Sequence, residues 1–372
     1  MRILFTRFPL ESRYGGAEVQ TMSLLRGLAA RHHAVAFLGS CPALLQLCRD
    51  EGILAGELKI GPPPVTKWCA ISFLWRRFSM RRRLILAMAE FGTLDALAML
   101  SLSEKLLLTP IAKKRGLKVL WVEHDRVGRW LKSNPWLPAL RRASEGATIV
   151  TVSELSRKIY VEQLGFASER VVAIGNGIDP SHLEGGTAPA RPASSSLHIG
   201  TVARLSHDKG VDVLLKAIED LPGVTLDILP TGERGSDEAH VRTLARQINT
   251  HGDRVRILDS IPDGIGAFYQ SLDVFVLPSR EHDPCPLAPA EALWMGTPVI
   301  LTDACGTAGY LTQKEEALIV PAGSVAALQE ALNELQNPAR RQSLAHRGKC
   351  AAHERFSLER MVDMYETLLT GN

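Results

Sequence analysis

Two acidic side chains, Asp283 and Glu291, lie eight residues apart in a segment that predicts a strand, a loop and a short helix. The apolar run Val274–Leu277 is typical of a buried parallel strand, and the Pro-Ser pair at 278–279 ends it. A proline-rich loop leads into a helix that the Gly-Thr-Pro sequence at 296–298 ends. In open α/β sheets, ligands bind where strands end and helices begin, and a helix N-terminus suits a phosphate. The spacing therefore predicts that the two acids bracket one small molecule.

A second segment carries two cations in a similar setting. Arg204 and Lys209 flank a short polar loop after a strand that is predicted to end at Ala203. Gly210 then opens a helix, because apolar residues recur at helical spacing after it. A guanidinium grips phosphate oxygens as a fork and an ammonium acts as a point charge, so the two cations suit a diphosphate. For either cation alone, a solvated surface position is the ordinary alternative.

The elements that would position these loops alternate between short apolar strands and helices of about 10 to 15 residues, which predicts parallel sheets with helices on both faces. A chain of 372 residues is long enough for two domains. A Gly-, Pro- and Ser-rich stretch at 185–196 indicates the boundary between them. Strands are predicted at Ile3–Phe5, Ala34–Leu38, Ala96–Leu100, Val119–Val122 and Ile149–Val152, and then at His198–Val202, Thr225–Leu229, Val255–Leu258, Val274–Leu277, Val299–Leu301 and Leu318–Val320.

Composition argues against several classes of protein. The net charge of +3 is too small to indicate a nucleic-acid partner. No apolar run of about 18 residues predicts a transmembrane helix, and the first residues are typical of a buried strand rather than a signal peptide. The six cysteines show no Cys-x-x-Cys spacing, which favours a reduced protein. We therefore expect a cytoplasmic protein.

The acidic segment resembles the corresponding motif of retaining glycosyltransferases of the GT-B type, in particular the large family 4. The segment at 203–210 is similar to the family's Gly-Arg-Leu…Lys-Gly motif, with Ala203 at the usual glycine. The matching residues of the acidic motif are Pro278, Ser279, Asp283, Glu291, Ala292, Gly296, Pro298 and Val299.

This resemblance implies an α/β protein of the GT-B fold, with two Rossmann-like domains whose parallel sheets face a central cleft. The first domain would bind the acceptor and the second would bind the nucleotide-sugar. The expected ranges are 1–180 for the N-terminal domain, 181–196 for a linker, 197–355 for the C-terminal domain and 356–372 for a last helix that can return to the N-terminal domain.

The resemblance also implies which residues hold the donor phosphates. Arg204 and Lys209 would stabilise the leaving nucleotide diphosphate. Backbone N–H groups near Leu287 and Ala288, at the start of the predicted helix, would contact its oxygens. The loop cations and the helix N-terminus would thus share one anionic ligand.

The remaining donor contacts follow from the same resemblance. Glu291 would accept hydrogen bonds from ribose hydroxyls, and Ile257 is the candidate beside the base. Asp283 would hydrogen-bond the donor sugar near the reacting carbon. The family usually has glutamate at this first acid, so Glu281 stays open as an alternative to Asp283 in that role.

Two features of the first half resemble the family as well. The paired glycines Gly15 and Gly16 allow positive φ and close backbone approach to a ligand, and the resemblance implies that they lie beside the donor phosphates or sugar. His124 follows a predicted strand. A structural histidine is the ordinary alternative, but the resemblance implies a place beside the donor sugar. It assigns a catalytic role to His124, Asp283, Arg204 and Lys209.

A basic stretch rich in aromatic residues lies between the second and third predicted strands. Its composition is typical of an interfacial helix that is drawn to anionic lipid headgroups, whereas a solvated helix face is the ordinary alternative. The family resemblance favours a peripheral position at the inner face of the membrane. The residues that would face the lipid are Trp75, Arg76, Arg77, Arg81, Arg82 and Arg83.

We therefore expect a retaining hexosyltransferase-type glycosyltransferase. It would move a sugar from a nucleotide diphosphate-sugar donor to a hydroxyl of a glycan or lipid-linked acceptor, in cell-surface polysaccharide or glycolipid synthesis. No Asp-x-Asp motif is present, so we expect neither a metal nor another cofactor. Three alternatives stay open: a non-catalytic nucleotide-sugar-binding protein on this fold, another GT-B enzyme such as a sugar-nucleotide epimerase or a phosphorylase, and a Rossmann-type oxidoreductase. The last would lack the Gly-x-Gly-x-x-Gly turn after the first strand.

Overall fold

The computed structural model describes residues 1–10, 15–126, 129–184, 196–232, 235–250, 252–261 and 263–371. The chain forms two compact units. The first comprises Met1–Gly175 with Met361–Asn372, and the second comprises Asn176–Arg360. Most of the predicted linker, at 185–195, lies outside the described residues.

Both sequence-based domain limits, after 180 and after 355, differ by five residues from the observed division. The reason is that the segments at the two ends of the second unit form hydrogen bonds within that unit. The side chain of Asn176 donates to the carbonyl of Cys285 at 2.7 Å. Ile178 forms a parallel bridge with Ser357. These contacts extend the second unit at both ends.

The first unit contains a parallel sheet of seven strands in the order β3-β2-β1-β4-β5-β6-β7. Five strands overlap the predicted ones, with ends that differ by up to two residues. Sequence reasoning missed β3 and β7 at the two edges of the sheet, because β3 lacks an apolar run and β7 has only three residues. In chain order, β1 to β7 are Arg2–Arg7, Ala34–Gly39, Leu54–Glu57, Ala96–Met99, Lys118–Glu123, Thr148–Thr151 and Val171–Ala173.

Helices connect these strands, because parallel neighbours require crossover connections. A buried core packs between sheet and helices, with Trp121 and Phe73 among its largest side chains. In chain order, α1 to α7 are Gly16–Ala30, Pro42–Asp50, Lys67–Ala89, Leu102–Lys114, Arg129–Lys132, Leu137–Ser144 and Glu154–Lys158.

The second unit contains a parallel sheet of six strands in the order β10-β9-β8-β11-β12-β13. All six agree with the predicted strands to within a residue at each end. Near-continuous apolar burial along β11 and β12 is what a parallel sheet covered on both faces requires. In chain order, β8 to β13 are Leu197–Ala203, Val224–Pro230, Val255–Ile257, Val274–Leu277, Val299–Thr302 and Leu318–Val320.

The last helix belongs to the first unit rather than the second for most of its length. Glu366 accepts from Arg31 at 2.7 Å and contacts His33 at 2.8 Å. Val362 packs so closely on Gly27 that any side chain there would collide with it. In chain order, α8 to α14 are Val211–Glu219, Glu238–Asn249, Gly264–Ser271, Leu287–Trp294, Val325–Glu334, Pro338–Arg355 and Leu358–Thr370.

Of the helices in the described part of the chain, none combines the length and the hydropathy that a bilayer crossing needs.

Candidate active site

In the second sheet, the strand order reverses between β8 and β11, which are neighbours although they are not consecutive in the chain. The loops after such a pair of strands diverge and leave a crevice at the carboxyl edge, where ligands bind in open α/β sheets. The loop after β8 carries Arg204 and Lys209, and the loop after β11 carries Asp283. The two sequence motifs are therefore brought together at the switch point of this sheet.

Lys209 and Asp283 form an ion pair across the two loops. The ammonium Nζ lies 2.5 Å from Asp283 Oδ2, and the hydroxyl of Ser279 donates to the same oxygen at 2.8 Å. Both charged side chains are largely buried, with 14% and 10% of their surface exposed.

Gly210 makes the close approach of the two loops possible. It adopts φ +65°, in the left-handed region, as the residue before α8. A Cβ at this position would lie 2.2 Å from the carbonyl oxygen of Pro278. Only glycine satisfies both conditions, so the loop that carries Lys209 can lie directly against the end of β11.

A second ion pair joins the same loops beside the first. One guanidinium nitrogen of Arg280 donates to both carboxylate oxygens of Asp212, at 2.8 and 2.6 Å. Burial acts to raise the pKa of Asp212, but the hydrogen bond and charge of Arg280 outweigh it and hold the pKa below its usual value. The amide of Arg280 also donates to the carbonyl of Asp208 at 2.8 Å. The crevice is thus rigid on this side.

The second acid of the motif, Glu291, lies in α11 and is only 8% exposed. The hydroxyl of Tyr269 donates to its Oε2 at 2.8 Å, and Nε2 of His182 lies 3.0 Å from its Oε1. The Nδ1 of His182 lies 2.5 Å from the carbonyl oxygen of Asp179. A carboxylate and a carbonyl both accept, so this setting favours the protonated imidazole, in which both ring nitrogens donate. The hydrogen bond to Glu291 accordingly raises the pKa of His182.

The N-terminus of α11 lies between the two acids in the chain. Its first residues, Leu287 and Ala288, are partly exposed, and no side chain caps the helix at Pro286. The first amide groups of a helix have no partner within it, and the helix dipole adds positive potential there. Asp283, Glu291 and this helix start therefore form one polar edge that suits an anion with hydroxyl groups.

Backbone contacts fix the loop between β11 and α11 in place. The amide of Asp283 donates to the carbonyl of Ala304 at 2.9 Å, and its carbonyl accepts from the amide of Gly306 at 2.7 Å. Cys285 and Cys305 are buried in these loops, and burial raises the pKa of the Cys285 thiol to about 11. Both cysteines therefore pack as small apolar side chains.

Comparisons with known proteins identify the family. The description "Glycosyltransferase Family 4" matches residues 14–182, and "Glycosyl transferases group 1" matches residues 196–337. The chain belongs to glycosyltransferase family 4.

Individual relatives agree with this family 4 assignment. The chain is 28% identical over 348 residues to the lipopolysaccharide core biosynthesis mannosyltransferase LpcC of Rhizobium leguminosarum bv. viciae, covering 86% of this chain and 90% of that protein. It is also 28% identical over 274 residues to the exopolysaccharide phosphotransferase SCO2592 of Streptomyces coelicolor, covering 71% of this chain but only 27% of that protein. The solved structure of Anabaena Alr3699/HepE in complex with UDP superposes with a TM-score of 0.80 over all of both chains at 17% identity, which shows a shared fold.

Two predicted donor contacts of the family 4 chain lie apart from the buried ion pair. Arg204 has a half-exposed side chain, and its nearest acid is Asp208 at 3.4 Å. Ile257 ends β10, which is separated from β8 by one strand, so it lies roughly 10 Å along the carboxyl edge. The alternative acid Glu281 faces His207 at 3.9 Å and takes no part in the pair between Lys209 and Asp283.

Gly15 and Gly16 do not adopt the positive φ that glycine allows. Gly15 is extended, with φ −163°, and caps α1, whose first residue is Gly16. A Cβ on Gly16 would meet no atom within 4 Å. The paired glycines therefore begin a helix rather than form a left-handed turn.

His124 follows β5 in the first unit, as predicted. Neither ring nitrogen has a hydrogen-bond partner among the described residues. Burial, and then the positive charge of Arg7, lower the pKa of His124 to about 4. Arg7 itself pairs with Glu18 at 2.6 Å. At neutral pH the imidazole is thus uncharged and has free capacity to donate and accept.

The basic stretch forms α3, and its residues do not all face solvent. Trp75 is 71% exposed, and Arg81, Arg82 and Arg83 are exposed as predicted. Arg76 is an exception to the expected lipid-facing set, because its guanidinium donates to the carbonyls at 62 and 69 and to the hydroxyl at 72. It fastens α3 to the preceding loop instead of facing outward.

Within the described ranges, no three His, Cys, Asp or Glu side chains are grouped as a metal site would require.

Proposed function

We propose that this chain is a retaining glycosyltransferase that moves a sugar from a nucleotide diphosphate-sugar to a hydroxyl of a glycan or lipid-linked acceptor, in cell-surface polysaccharide or glycolipid synthesis. The observation that carries the proposal is the buried pair of Lys209 and Asp283 at the switch point, beside the free start of α11. A diphosphate needs cations and amide donors, and a sugar needs carboxylate acceptors. Both occur here within one loop system.

In the proposed reaction, the bond between the anomeric carbon and the diphosphate oxygen breaks and a bond to the acceptor oxygen forms. Lys209 and Arg204 stabilise the negative charge that grows on the leaving diphosphate, which lowers the transition state more than the ground state. The leaving phosphate oxygen takes the proton of the acceptor hydroxyl. Asp283 holds Lys209 before the donor arrives and hydrogen-bonds sugar hydroxyls afterwards.

Glu291 binds the ribose hydroxyls of the donor in this proposal, and the amides of Leu287 and Ala288 bind its phosphates. In the free protein, Tyr269 and His182 hold the carboxylate of Glu291 in one orientation. This arrangement reduces the freedom that the carboxylate would lose on binding. Ile257 is assigned to the base.

In the first unit, we assign His124 to a sugar hydroxyl, because an uncharged imidazole with two unpartnered nitrogens can bind one at neutral pH. The helix start at Gly15 and Gly16 is assigned to the donor phosphates or sugar. Contact with a membrane through α3 is part of the proposal, since its exposed arginines and Trp75 suit an anionic lipid surface.

The test is thermal unfolding with UDP, GDP, ADP, CDP and dTDP, starting with UDP because the HepE structure holds it. A ligand at about 100 times its Kd stabilises by about 2.7 kcal/mol, or roughly 5–10 °C for a domain of this size. We expect one diphosphate to shift Tm in this way and Lys209→Ala to abolish the shift. Lys349→Ala, which removes the same charge from an exposed position, is the control. No shift with any diphosphate would refute the donor site.

The stereochemical claim needs a second measurement. Once the donor is known, the anomeric configuration of the product can be read by NMR, and a retained configuration is expected. An inverted product would contradict the retaining mechanism. Donor binding without transfer to any acceptor would favour a non-catalytic binding protein, and conversion of the donor sugar without transfer would favour an epimerase.

A further inference from the structure

A groove in the first unit is lined by residues of α3, α4 and α6 and by Trp136, just before α6. Its volume is about 480 Å³, which is in the range of small-molecule sites. Phe73, Leu107 and Trp136 are among the apolar residues that line it. None of the residues assigned to the sugar-transfer site lines this groove.

The groove is preformed, because polar contacts fix its walls. The indole nitrogen of Trp136 donates to the carbonyl of Ala70 at 2.9 Å, which joins α6 to α3. Phe73 meets the indole ring edge-on, with centroids 4.9 Å apart. Asn134, just before α6, donates to the carbonyl of Pro64, just before α3, at 2.8 Å. A ligand would therefore enter a groove that needs no rearrangement.

Three arginines and no acid line the groove. Arg77 lies over the rings of Phe78 and Trp136, at 4.8 and 5.6 Å, and its buried Nε has no hydrogen-bond partner among the described residues. Arg81 follows one turn later on the same face of α3, and Arg142 is on α6. Both are exposed. Unused guanidinium donors beside an apolar surface favour a ligand with a phosphate and a hydrocarbon part.

The groove continues into the exposed apolar face of α3. Phe78 lines the groove and is itself 67% exposed. Trp68 and Trp75, at 77% and 71%, lie on the outer surface of the same helix. Tryptophan is enriched where protein meets lipid headgroups. A ligand in the groove would thus have its hydrocarbon part beside side chains that suit a bilayer interface.

From this juxtaposition we propose that the groove binds a single anionic phospholipid, with its phosphate on Arg77, Arg81 and Arg142 and the first part of its acyl chains against the accessible side chains of Leu106 and Pro110. The inference deepens the membrane contact of the proposed function and rests on it. Lipid binding in the groove requires no sugar transfer. It differs from general adsorption to a membrane because one lipid headgroup occupies a defined site.

The first experiment measures binding of dihexanoyl phosphatidylglycerol, a water-soluble short-chain lipid, to the full chain by titration calorimetry. We expect saturable binding at one site, with no binding of dihexanoyl phosphatidylcholine and weak competition by inorganic phosphate. Equal binding of inorganic phosphate would overturn the lipid assignment. Absence of binding to the short-chain lipid, with intact binding to vesicles, would overturn the discrete site and leave only surface adsorption.

The second experiment compares two single-charge variants on vesicles of phosphatidylcholine with phosphatidylglycerol. Arg83→Gln removes an exposed charge from α3 outside the groove, and we expect about a fivefold loss of affinity, the ordinary effect of one basic residue near an anionic surface. Arg142→Gln removes the same charge from the groove, and we expect a loss of about 10- to 100-fold, as for a charge-assisted hydrogen bond. Equal losses would overturn the proposal.

A third variant separates volume from charge. Ala139→Trp fills part of the groove without changing the net charge, and we expect it to abolish binding of the short-chain lipid while the Tm stays within a few degrees. Unchanged binding would contradict the proposed position of the acyl chains. Binding of nucleotide diphosphate should be unaffected in Arg142→Gln, so failure of the groove and failure of the donor site can be told apart. A chain that dimerises through this groove without lipid would assign it to self-association and overturn the proposal.

Discussion

The substitution Gly210→Ala tests the contact between the two loops of the candidate donor site. An L-residue in the left-handed region costs about 1–2 kcal/mol. The new Cβ would also lie 2.2 Å from the carbonyl oxygen of Pro278, where ordinary contacts begin at 3.4 Å. Relief of such overpacking typically costs a further 1–3 kcal/mol. We therefore expect the free energy of unfolding to fall by about 2–5 kcal/mol and donor affinity to fall with it, because the loop carrying Lys209 must move away from Asp283.

Gly323→Ala is the matched control in the same unit. Gly323 adopts φ +76°, but a Cβ there would meet no atom within 4 Å. This variant therefore loses only the stability that an L-residue in the left-handed region costs. The Tm of Gly210→Ala should lie below that of the control by roughly 2–12 °C, since about 1 kcal/mol corresponds to 2–4 °C for a domain of this size. The assay is differential scanning calorimetry with and without the nucleotide diphosphate. Equal Tm values and equal affinities would refute the idea that the close approach at Pro278 positions the site.

Three further outcomes are expected. The hydrogen bond to Glu291 raises the pKa of His182, so the stability that His182 contributes is full below about pH 6.5 and is lost as pH rises through the raised pKa. The Tm difference between wild type and His182→Gln should follow this profile. A Tm difference that does not change with pH would contradict it. Burial raises the pKa of Glu104 to about 7, so the free energy of unfolding falls by up to about 3 kcal/mol as the pH rises from 4.5 to 7. Glu104→Gln should therefore be more stable than wild type above pH 7 but not near pH 4.5. Denaturant unfolding of both proteins at the two pH values checks this. Iodoacetamide should label the exposed Cys350 of the native chain but not the buried Cys285, and mass spectrometry that finds both labelled equally would refute the described burial.

The donor loops could be predicted from the sequence because each is local. In both, a buried strand, a polar loop and a helix follow one another in the chain, so the positions of Lys209 and Asp283 follow from the order of elements. The periodicity of buried strands is also a strong signal, which explains the agreement for all six strands of the second sheet. What the sequence could not supply is the switch point, because neighbouring strands in the sheet are not neighbours in the chain.

The partners of Glu291 were missed for a similar reason. His182 lies 109 residues away in the chain, and Tyr269 lies 22 residues away on another helix. Neither belongs to a recognisable motif. A histidine shortly after the Asn-Gly sequence at 176–177 was the available signal, but nothing in its neighbourhood indicates a carboxylate partner.

Residue type alone does not fix the conformation or direction that a residue adopts, as two positions show. Gly15 can adopt positive φ, but the start of α1 does not require it, and the residue is extended. Arg76 has the composition of a lipid-facing residue, yet carbonyls of the preceding loop lie within its reach. The edge strand β3 was missed because Leu54 is 62% exposed and the strand lacks an apolar run.

The chain order of the two units has a consequence for biosynthesis. The last residues, from Met361 onward, complete the first unit, whereas Asn176–Arg360 are continuous in the chain. On the ribosome, the second unit can therefore close as soon as it emerges, while the first must wait for α14 to supply its contacts to Gly27 and Arg31. A fragment that stops at Gly175 should be short of native structure, and Asn176–Arg360 is the segment to excise for an independently folding half.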